Sequence, residues 1–294
     1  MLAPTSRANK SIAIAGQMAW TTVPVKRRKP LRGSRRANKV SAAESAGAYT
    51  VEEYGQIYDQ VVKLRTTLKD TVLWSKLFEV IDQIDALVSI KVPVVAYGLG
   101  SFQSANAVKQ LACLLNLGEV LGATRIEIFD PVMTPLDITL VEKFGCTYIR
   151  ENESCKRIAS SLTLFFIPHG DLFMYSNLLL TNTSEDTLHN LLLLGNSLGS
   201  YVEHETQLGG CSIDEMERGE KTAAIDCIRS VLPRLNEIVI HKSMHNNLSP
   251  KRVGGDSKTP TDQETSRVDY GIPLDGSLER AFNDTSFHVF ERKQ

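Results

Sequence analysis

The sequence predicts a Rossmann-like α/β fold: a largely parallel sheet flanked by helices on both faces, with a disordered basic N-terminal tail. Short apolar runs of the kind that form buried parallel strands alternate with stretches of helical hydrophobic spacing. The first apolar run, Val92–Tyr97, passes directly into Gly98-Leu99-Gly100 and then into a helical pattern. A strand, a Gly-x-Gly turn and a helix make up the first unit of a nucleotide-binding sheet.

The predicted elements follow one another at the spacing of an α/β protein. Those before residue 150 are the helices 51–68, 72–88, 103–117 and 136–144 and the strands 92–97, 125–129 and 147–149. Those after it are the strands 162–167, 191–194 and 235–240, a last strand from Phe287, the helix 172–180, and one or two helices within 213–232. The polar stretch 241–270 predicts a disordered insertion, so the α/β domain is expected to cover 48–291.

Composition and charge limit the classes of partner. The 294 residues are 42% hydrophobic, which is enough for one large α/β core. Residues 1–43 carry ten basic side chains and no acid, whereas the remainder carries 23 basic against 34 acidic side chains. Phosphate contacts need clustered Lys and Arg, so nucleic acid is not expected to bind the folded domain.

The basic tail, residues 1–45, has no sustained hydrophobic period and is predicted to be disordered. Lys26-Arg27-Arg28-Lys29 and Arg35-Arg36 resemble a nuclear-localisation cluster, with a solvated basic tail or a transit peptide as the alternatives. The apolar run Ser11–Trp20 is too short to span a membrane, and no membrane association is expected. We expect the protein in the cytoplasm and the nucleus.

Cysteine and histidine spacing does not predict a metal site. The five cysteines include no Cys-x-x-Cys pair, which favours reduced thiols in the cytosol or nucleus. His241 and His245 have a metal-ligand spacing but lie in a polar stretch without cysteine partners, so zinc is not expected there.

Three apolar strands end in glycine-rich or polar tips, at Gly98–Ser101, Pro168–Gly170 and Gly195–Ser197. In a doubly wound sheet such tips converge on one crevice. Glycines let the backbone approach a ligand there, and the following helix offers N–H groups to an anion. The dinucleotide pattern requires a third glycine where this chain has Gln103, so the spacing fits an S-adenosylmethionine site, and equally a tight turn that binds nothing.

Two polar residues at these tips each allow more than one role. Asp130 ends the second strand, where an acid contacts ribose hydroxyls in open α/β folds, but it also lies where an N-cap would precede the next helix. His169 is a candidate general base, haem ligand or helix-cap neighbour. The sequence assigns no catalytic residue.

Between residues 92 and 290 the chain contains six short motifs, each of which occurs once, in the order in which a known family has them. They are Tyr97-Gly98-Leu99-Gly100-Ser101-Phe102, Phe129-Asp130-Pro131, Glu151-Asn152-Glu153, Phe166-Ile167-Pro168-His169, Leu194-Gly195-Asn196-Ser197 and Phe282-Asn283-Asp284-Thr285-Ser286. The ordered set resembles the Sensitivity-to-Red-light-Reduced (SRR-like) family. The resemblance implies a regulatory protein linked to circadian timing, to light signalling in plants and to haem biosynthesis in animals.

The resemblance also bears on individual positions. It places Asp284 at the crevice, whereas Ile167 and Gly170 stand where the family usually reads the first and last residues of Met-Pro-His-Cys. The candidate ligand-binding residues are therefore Gly98, Gly100, Ser101, Asp130, His169, Asn196 and Asp284.

Two functions remain open at this point. One is a regulator that uses the crevice for a small ligand or a protein partner, and the other is an S-adenosylmethionine-dependent transferase that uses the Gly98/Gly100 loop. The missing third glycine favours the transferase over a dinucleotide dehydrogenase, and the absence of an evident acid–base pair favours the regulator over any enzyme. The cofactor is not determined, with haem and S-adenosylmethionine as the two candidates.

Overall fold

The computed structural model describes residues 50–84, 91–205, 215–241 and 276–292. The predicted tail 1–45 and the end of the second predicted helix lie outside the described residues. Most of the predicted insertion 241–270 does so too, but its first residue, His241, belongs to a strand.

The chain forms the following elements. The helices are α1 (Val51–Lys69), α2 (Val72–Gln83), α3 (Ala105–Val120), α4 (Pro135–Lys143), α5 (Leu172–Thr181), α6 (Glu185–His189), α7 (Leu198–Glu205), α8 (Glu215–Val231) and α9 (Gly276–Ala281). The strands are β1 (Val94–Tyr97), β2 (Ile126–Phe129), β3 (Thr147–Tyr148), β4 (Thr163–Ile167), β5 (Leu191–Asn196), β6 (Leu235–His241) and β7 (Thr285–Phe290).

In the described part of the chain, seven strands form one mostly parallel sheet in the order β3-β2-β1-β4-β5-β7-β6. The first five strands are parallel neighbours in the usual doubly wound order, which confirms the predicted Rossmann-like α/β fold. β7 runs antiparallel between β5 and β6, and Thr285 at its start pairs with Asn196 at the end of β5. The amino end of β7 therefore lies at the same edge as the carboxyl ends of the parallel strands.

The strands bury apolar side chains on both faces of the sheet. In β4, Leu164 and Phe166 join the core beneath helices α1 to α4, and Phe165 and Ile167 join the core beneath α5, α7 and α8. Every residue of β4 is buried, as expected for a central parallel strand covered on both faces. The polar groups of the central strands are therefore concentrated at their ends.

Candidate functional site

The loop after β1 turns on two glycines in the left-handed region. Gly98 has φ 77° and Gly100 has φ 82°, backbone angles that residues with a Cβ rarely adopt. A Cβ at Gly98 would also lie 3.1 Å from Met174 Cε, whereas a Cβ at Gly100 would have Ala107 Cβ, 3.9 Å away, as its nearest neighbour. Gly100 is thus required for its backbone conformation rather than for lack of space.

Asp130, at the tip of β2, holds this loop. Its Oδ2 accepts a hydrogen bond of 2.7 Å from the Gly100 N–H, and its Oδ1 accepts one of 2.9 Å from the Val132 N–H. The N-cap of α4 is Thr134, so the N-cap alternative for Asp130 is wrong. The carboxylate clamps the loop instead, and its contact with a ribose stays a prediction.

A second carboxylate, Asp137, supports the same loop and was not anticipated. Its Oδ1 accepts from the Phe102 N–H at 3.1 Å, and its Oδ2 accepts from the backbone N–H and the hydroxyl of Thr134 at 2.8 and 3.0 Å. The local signal was the capping box Thr134-x-x-Asp137 at the start of α4. The bond to Phe102 joins residues 35 positions apart, which no local pattern indicates.

The tips of β1 and β3 are joined by a charged network. The Tyr97 hydroxyl donates to Glu153, and Arg157 binds Glu153 at 2.6 Å and Glu127 at 3.0 Å. Burial raises the pKa of Tyr97 and the bond to Glu153 raises it further, so the phenol stays protonated. This contact joins the first and third pieces of the family pattern.

His169, after β4, is tied to α9. Its ring Nε2 lies 3.0 Å from the carbonyl oxygens of both Arg280 and Ala281. Carbonyls only accept hydrogen bonds, so Nε2 carries the hydrogen, and the lone pair of a neutral ring is then on Nδ1. His169 thus bonds to the carboxyl end of α9, whereas the N-cap of the helix that follows it, α5, is Asp171. The roles of His169 as a base or a haem ligand stay predictions.

Asn196, at the tip of β5, is committed to protein contacts. Its Oδ1 accepts from the His169 backbone N–H at 3.1 Å, its Nδ2 donates to the Tyr201 hydroxyl at 2.9 Å, and its backbone N–H donates to the Tyr175 hydroxyl at 2.8 Å. Burial raises the pKa of Tyr201 to about 12, so this hydroxyl stays neutral. Asn196 orders the tips of β4 and β5.

The remaining candidates also lie at this edge. The Asp284 carbonyl accepts from the Ser197 N–H at 3.1 Å, and the Ser101 carbonyl accepts from the Ser104 N–H at 2.9 Å in the turn that opens α3. Gln110 of α3 donates at 3.0 Å to the same Ala281 carbonyl that His169 contacts. The candidate residues therefore share the carboxyl edge of one sheet, but ligand binding by them stays a prediction.

The fold and this edge define a Rossmann-like α/β protein with polar groups gathered at its strand tips. The SRR1 domain family matches residues 77–289, well over half of the chain. The chain therefore belongs to the SRR1 domain family, which confirms the resemblance seen in the sequence.

Individual relatives match over shorter segments. The chain is 36% identical over 113 residues to "Protein SENSITIVITY TO RED LIGHT REDUCED 1" of Arabidopsis thaliana, covering 37% of this chain and 41% of the relative. It is 36% identical over 116 residues to "SRR1-like protein" of Mus musculus, covering 38% of this chain and 47% of the relative. The matched segment thus spans less than half of either relative.

Among solved structures, two methyltransferases bound to SAH are similar at low identity. Podospora anserina PaMTH1 has a TM-score of 0.37 at 11% identity, covering 85% of this chain and 99% of that one. The plantazolicin methyltransferase BpumL has a TM-score of 0.34 at 9% identity, covering 82% of this chain and 90% of that one.

The described ranges contain no helix that is long and apolar enough to cross a membrane.

Proposed function

We propose that this chain is a regulatory protein that acts in circadian timing and in the control of haem biosynthesis, in the cytoplasm and the nucleus. It acts by binding a small molecule or a protein partner at the carboxyl edge of its sheet. Membership of the SRR1 domain family supports this role, and the name of the Arabidopsis relative refers to a response to red light.

One observation carries the proposal: the pieces of the family pattern meet at one edge and bond to each other. Gly100 bonds to Asp130, the His169 backbone bonds to the Asn196 side chain, and Ser197 bonds to Asp284. A pattern needed only for folding would follow the apolar strands, whereas this one follows their polar tips. The edge is thus the part of the molecule best suited to recognise another molecule.

The groups at this edge support binding more strongly than proton transfer. The phenol of Tyr97 stays protonated because burial and Glu153 raise its pKa, and the Nε2 of His169 donates to two backbone carbonyls. A general base must present a free lone pair to a substrate, so neither the Tyr97 phenol nor the Nε2 of His169 can act as one, although Nδ1 of a neutral His169 ring keeps its lone pair. This favours the regulator over the transferase.

A complementation experiment tests the regulatory role. Deleting the protein is expected to shift the circadian period and the haem content of its source cells, and the wild-type chain should restore both. Gly100→Val should fail to restore them, because valine cannot easily adopt φ 82° at the loop. Gly145→Val is the matched control, since Gly145 has φ 77° with nothing within 4 Å and lies before β3, at the other edge.

If deletion changed neither readout, the regulatory role would be wrong. If Gly145→Val failed as completely as Gly100→Val, backbone strain rather than the edge would explain the loss. Both variants should accumulate to similar levels, which immunoblotting checks.

The second candidate is the S-adenosylmethionine-dependent transferase. The left-handed glycines of the loop and the acid at the tip of β2 favour it, because glycines let the backbone approach a ligand and a carboxylate can accept hydrogen bonds from ribose hydroxyls. In this function Gly98 and Gly100 approach the amino-acid part, and Asp130 contacts the ribose through lone pairs that Gly100 and Val132 do not use. Release of S-adenosylhomocysteine by the purified protein, absent in Gly100→Val, would favour the transferase over the regulator.

A further inference from the structure

Two N–H groups of the loop after β1, those of Gly100 and Phe102, are already bonded to carboxylates within the protein. In nucleotide-binding sheets the loop and the start of the following helix present such groups to a phosphate. Here the Gly100 N–H donates to Asp130 at 2.7 Å and the Phe102 N–H donates to Asp137 at 3.1 Å. Each carboxylate occupies a position that a phosphate oxygen would take.

Both carboxylates are held in place by further bonds. Asp130 is 6% exposed and also accepts from Val132, while Asp137 is 1% exposed and also accepts from two groups of Thr134. Turning either side chain away would leave buried or part-buried N–H groups without these acceptors, which is unfavourable. A phosphate therefore could not displace them without disrupting the loop.

The negative charge of Asp130 also opposes the binding of a phosphate at this loop. A phosphate placed against the loop would lie within a few ångströms of the Asp130 carboxylate, and like charges repel strongly where water is partly excluded. One cation near the tip of β1, Arg157, is already bonded to Glu153 and Glu127. A phosphate at this loop would therefore meet the Asp130 carboxylate, while the charge of Arg157 is already paired within the protein.

We infer that Asp130 and Asp137 determine the specificity of this edge by closing the loop to phosphate groups. The small ligand that meets the loop is phosphate-free and presents a neutral or positively charged group. This inference rests on the proposed small-ligand function and narrows its ligand class.

The inference is tested by measuring whether the backbone amides of the loop respond to pyrophosphate. Two-dimensional amide spectra of the full chain are recorded during a titration with pyrophosphate, for the wild type and for Asp130→Asn. Asparagine removes the charge and has only one acceptor oxygen, so the Gly100 or the Val132 N–H is left without a partner. The Gly100 amide of the variant should shift saturably, with half-saturation at least about tenfold below the highest pyrophosphate concentration at which the wild type still shows no saturable shift.

Asp226→Asn is the matched control. Asp226 is an exposed acid on α8 that pairs with Arg229, so this change removes the same charge far from the loop. Its titration should match that of the wild type, which would separate a local effect from a change in net charge.

Two results would overturn the inference: saturable pyrophosphate shifts of Gly100 and Phe102 in the wild type, or an Asp130→Asn variant as insensitive as the wild type. If Asp130→Asn did not fold, the wild-type titration would still decide, together with hydrogen exchange of the Gly100 amide, which should be slow and unaffected by pyrophosphate. The regulatory function is judged by complementation, so either claim can fail while the other stands.

Discussion

The two halves of the carboxyl edge are held together by different chemistry. At the tips of β1, β2 and β3, carboxylates do the joining: Asp130 and Asp137 accept from the loop backbone, and Glu153 binds Tyr97 and Arg157. We call this set the charged half. Hydrogen bonds to ionised groups are about twice as strong as neutral ones, and they weaken when the acid is protonated.

At the tips of β4, β5 and β7, the joining groups are mainly neutral. Asn196 binds the His169 backbone and Tyr201, and the Tyr201 hydroxyl donates to the Gly170 carbonyl at 2.6 Å. We call this set the neutral half. Its glycines fit closely against a buried tyrosine, Tyr175, so the neutral half depends on close packing where the charged half depends on hydrogen bonds to carboxylates.

The largest expected effect tests the close fit of the neutral half. A Cβ at Gly195 would lie 2.7 Å from the Tyr175 hydroxyl and 2.9 Å from the Ile167 carbonyl oxygen. Tyr175 is fully buried and its hydroxyl is bonded to Ile167 and Asn196, so it cannot retreat. Gly195→Ala should lower the free energy of unfolding by about 3 kcal/mol, measured by urea denaturation.

Gly219→Ala on α8 is the control for this change. Nothing lies within 4 Å of a Cβ there, so alanine should raise stability by about 0.5–1 kcal/mol through helix propensity. A loss below about 1 kcal/mol for Gly195→Ala would show that the neutral half is not close-packed.

The second prediction concerns an acid beside the neutral half, Glu237. Burial alone would raise its pKa, but His288, with Nε2 3.6 Å away, the Ser197 hydroxyl and the Gly199 N–H lower it to about 2. A folded pKa below the unfolded value of about 4.3 means that this stability is present above pH 4.3 and is lost as pH falls toward 2. The loss should be about 2–3 kcal/mol.

Chemical denaturation between about pH 6 and 2 would measure this loss in the wild type and in Glu237→Gln. The variant should be less stable at neutral pH and should lose less on acidification. Parallel curves for the two proteins would contradict a lowered pKa of Glu237 in the folded protein.

The third prediction tests whether the charged half depends on its buried acids. Asp137→Ala leaves the Phe102 and Thr134 N–H groups without their acceptor and should cost about 2 kcal/mol of unfolding free energy. Asp59→Ala, an exposed acid on α1, should change it by less than about 0.5 kcal/mol. Equal effects in thermal denaturation would contradict a special role for the loop carboxylates.

The smallest expected effect concerns the two positions where this chain departs from the usual family pattern. A Cβ at Gly170 would lie 2.7 Å from Ile167 Cγ2 and 3.0 Å from the Tyr175 ring, so Ile167 fills part of the space that a cysteine would need. Methionine lacks the Cγ2 branch, so Gly170→Cys should be less destabilising after Ile167→Met. A double-mutant cycle should give a coupling of about 1 kcal/mol.

Additive effects of the two substitutions in that cycle would show that the departures are independent. Any remaining destabilisation in the double variant is attributed to the Tyr175 ring, which neither substitution moves.

The local sequence pattern was sufficient to predict where the strands of the sheet lie along the chain. The uninterrupted apolar run ending at Ile167 predicted a central strand, and β4 covers Thr163–Ile167. The glycines at 98 and 100 predicted a turn, and both adopt positive φ. These features depend on a residue and its near neighbours, because strand burial and backbone freedom are properties of short segments.

The short helices α6, α7 and α9 were missed because so few residues carry little periodic signal. The antiparallel insertion of β7 was also missed, since strand direction depends on which strands pair across the sheet.

By itself, the sequence determined the strand tips and the glycine conformations, because strand and turn preferences are short-range. Only the tertiary structure decided which acid binds which N–H. Asp130 and Gly100 are 30 positions apart, and Gln110 reaches Ala281 across 171 positions. Hydrogen bonds of this kind form where folded elements meet, and their geometry is set by packing rather than by spacing along the chain.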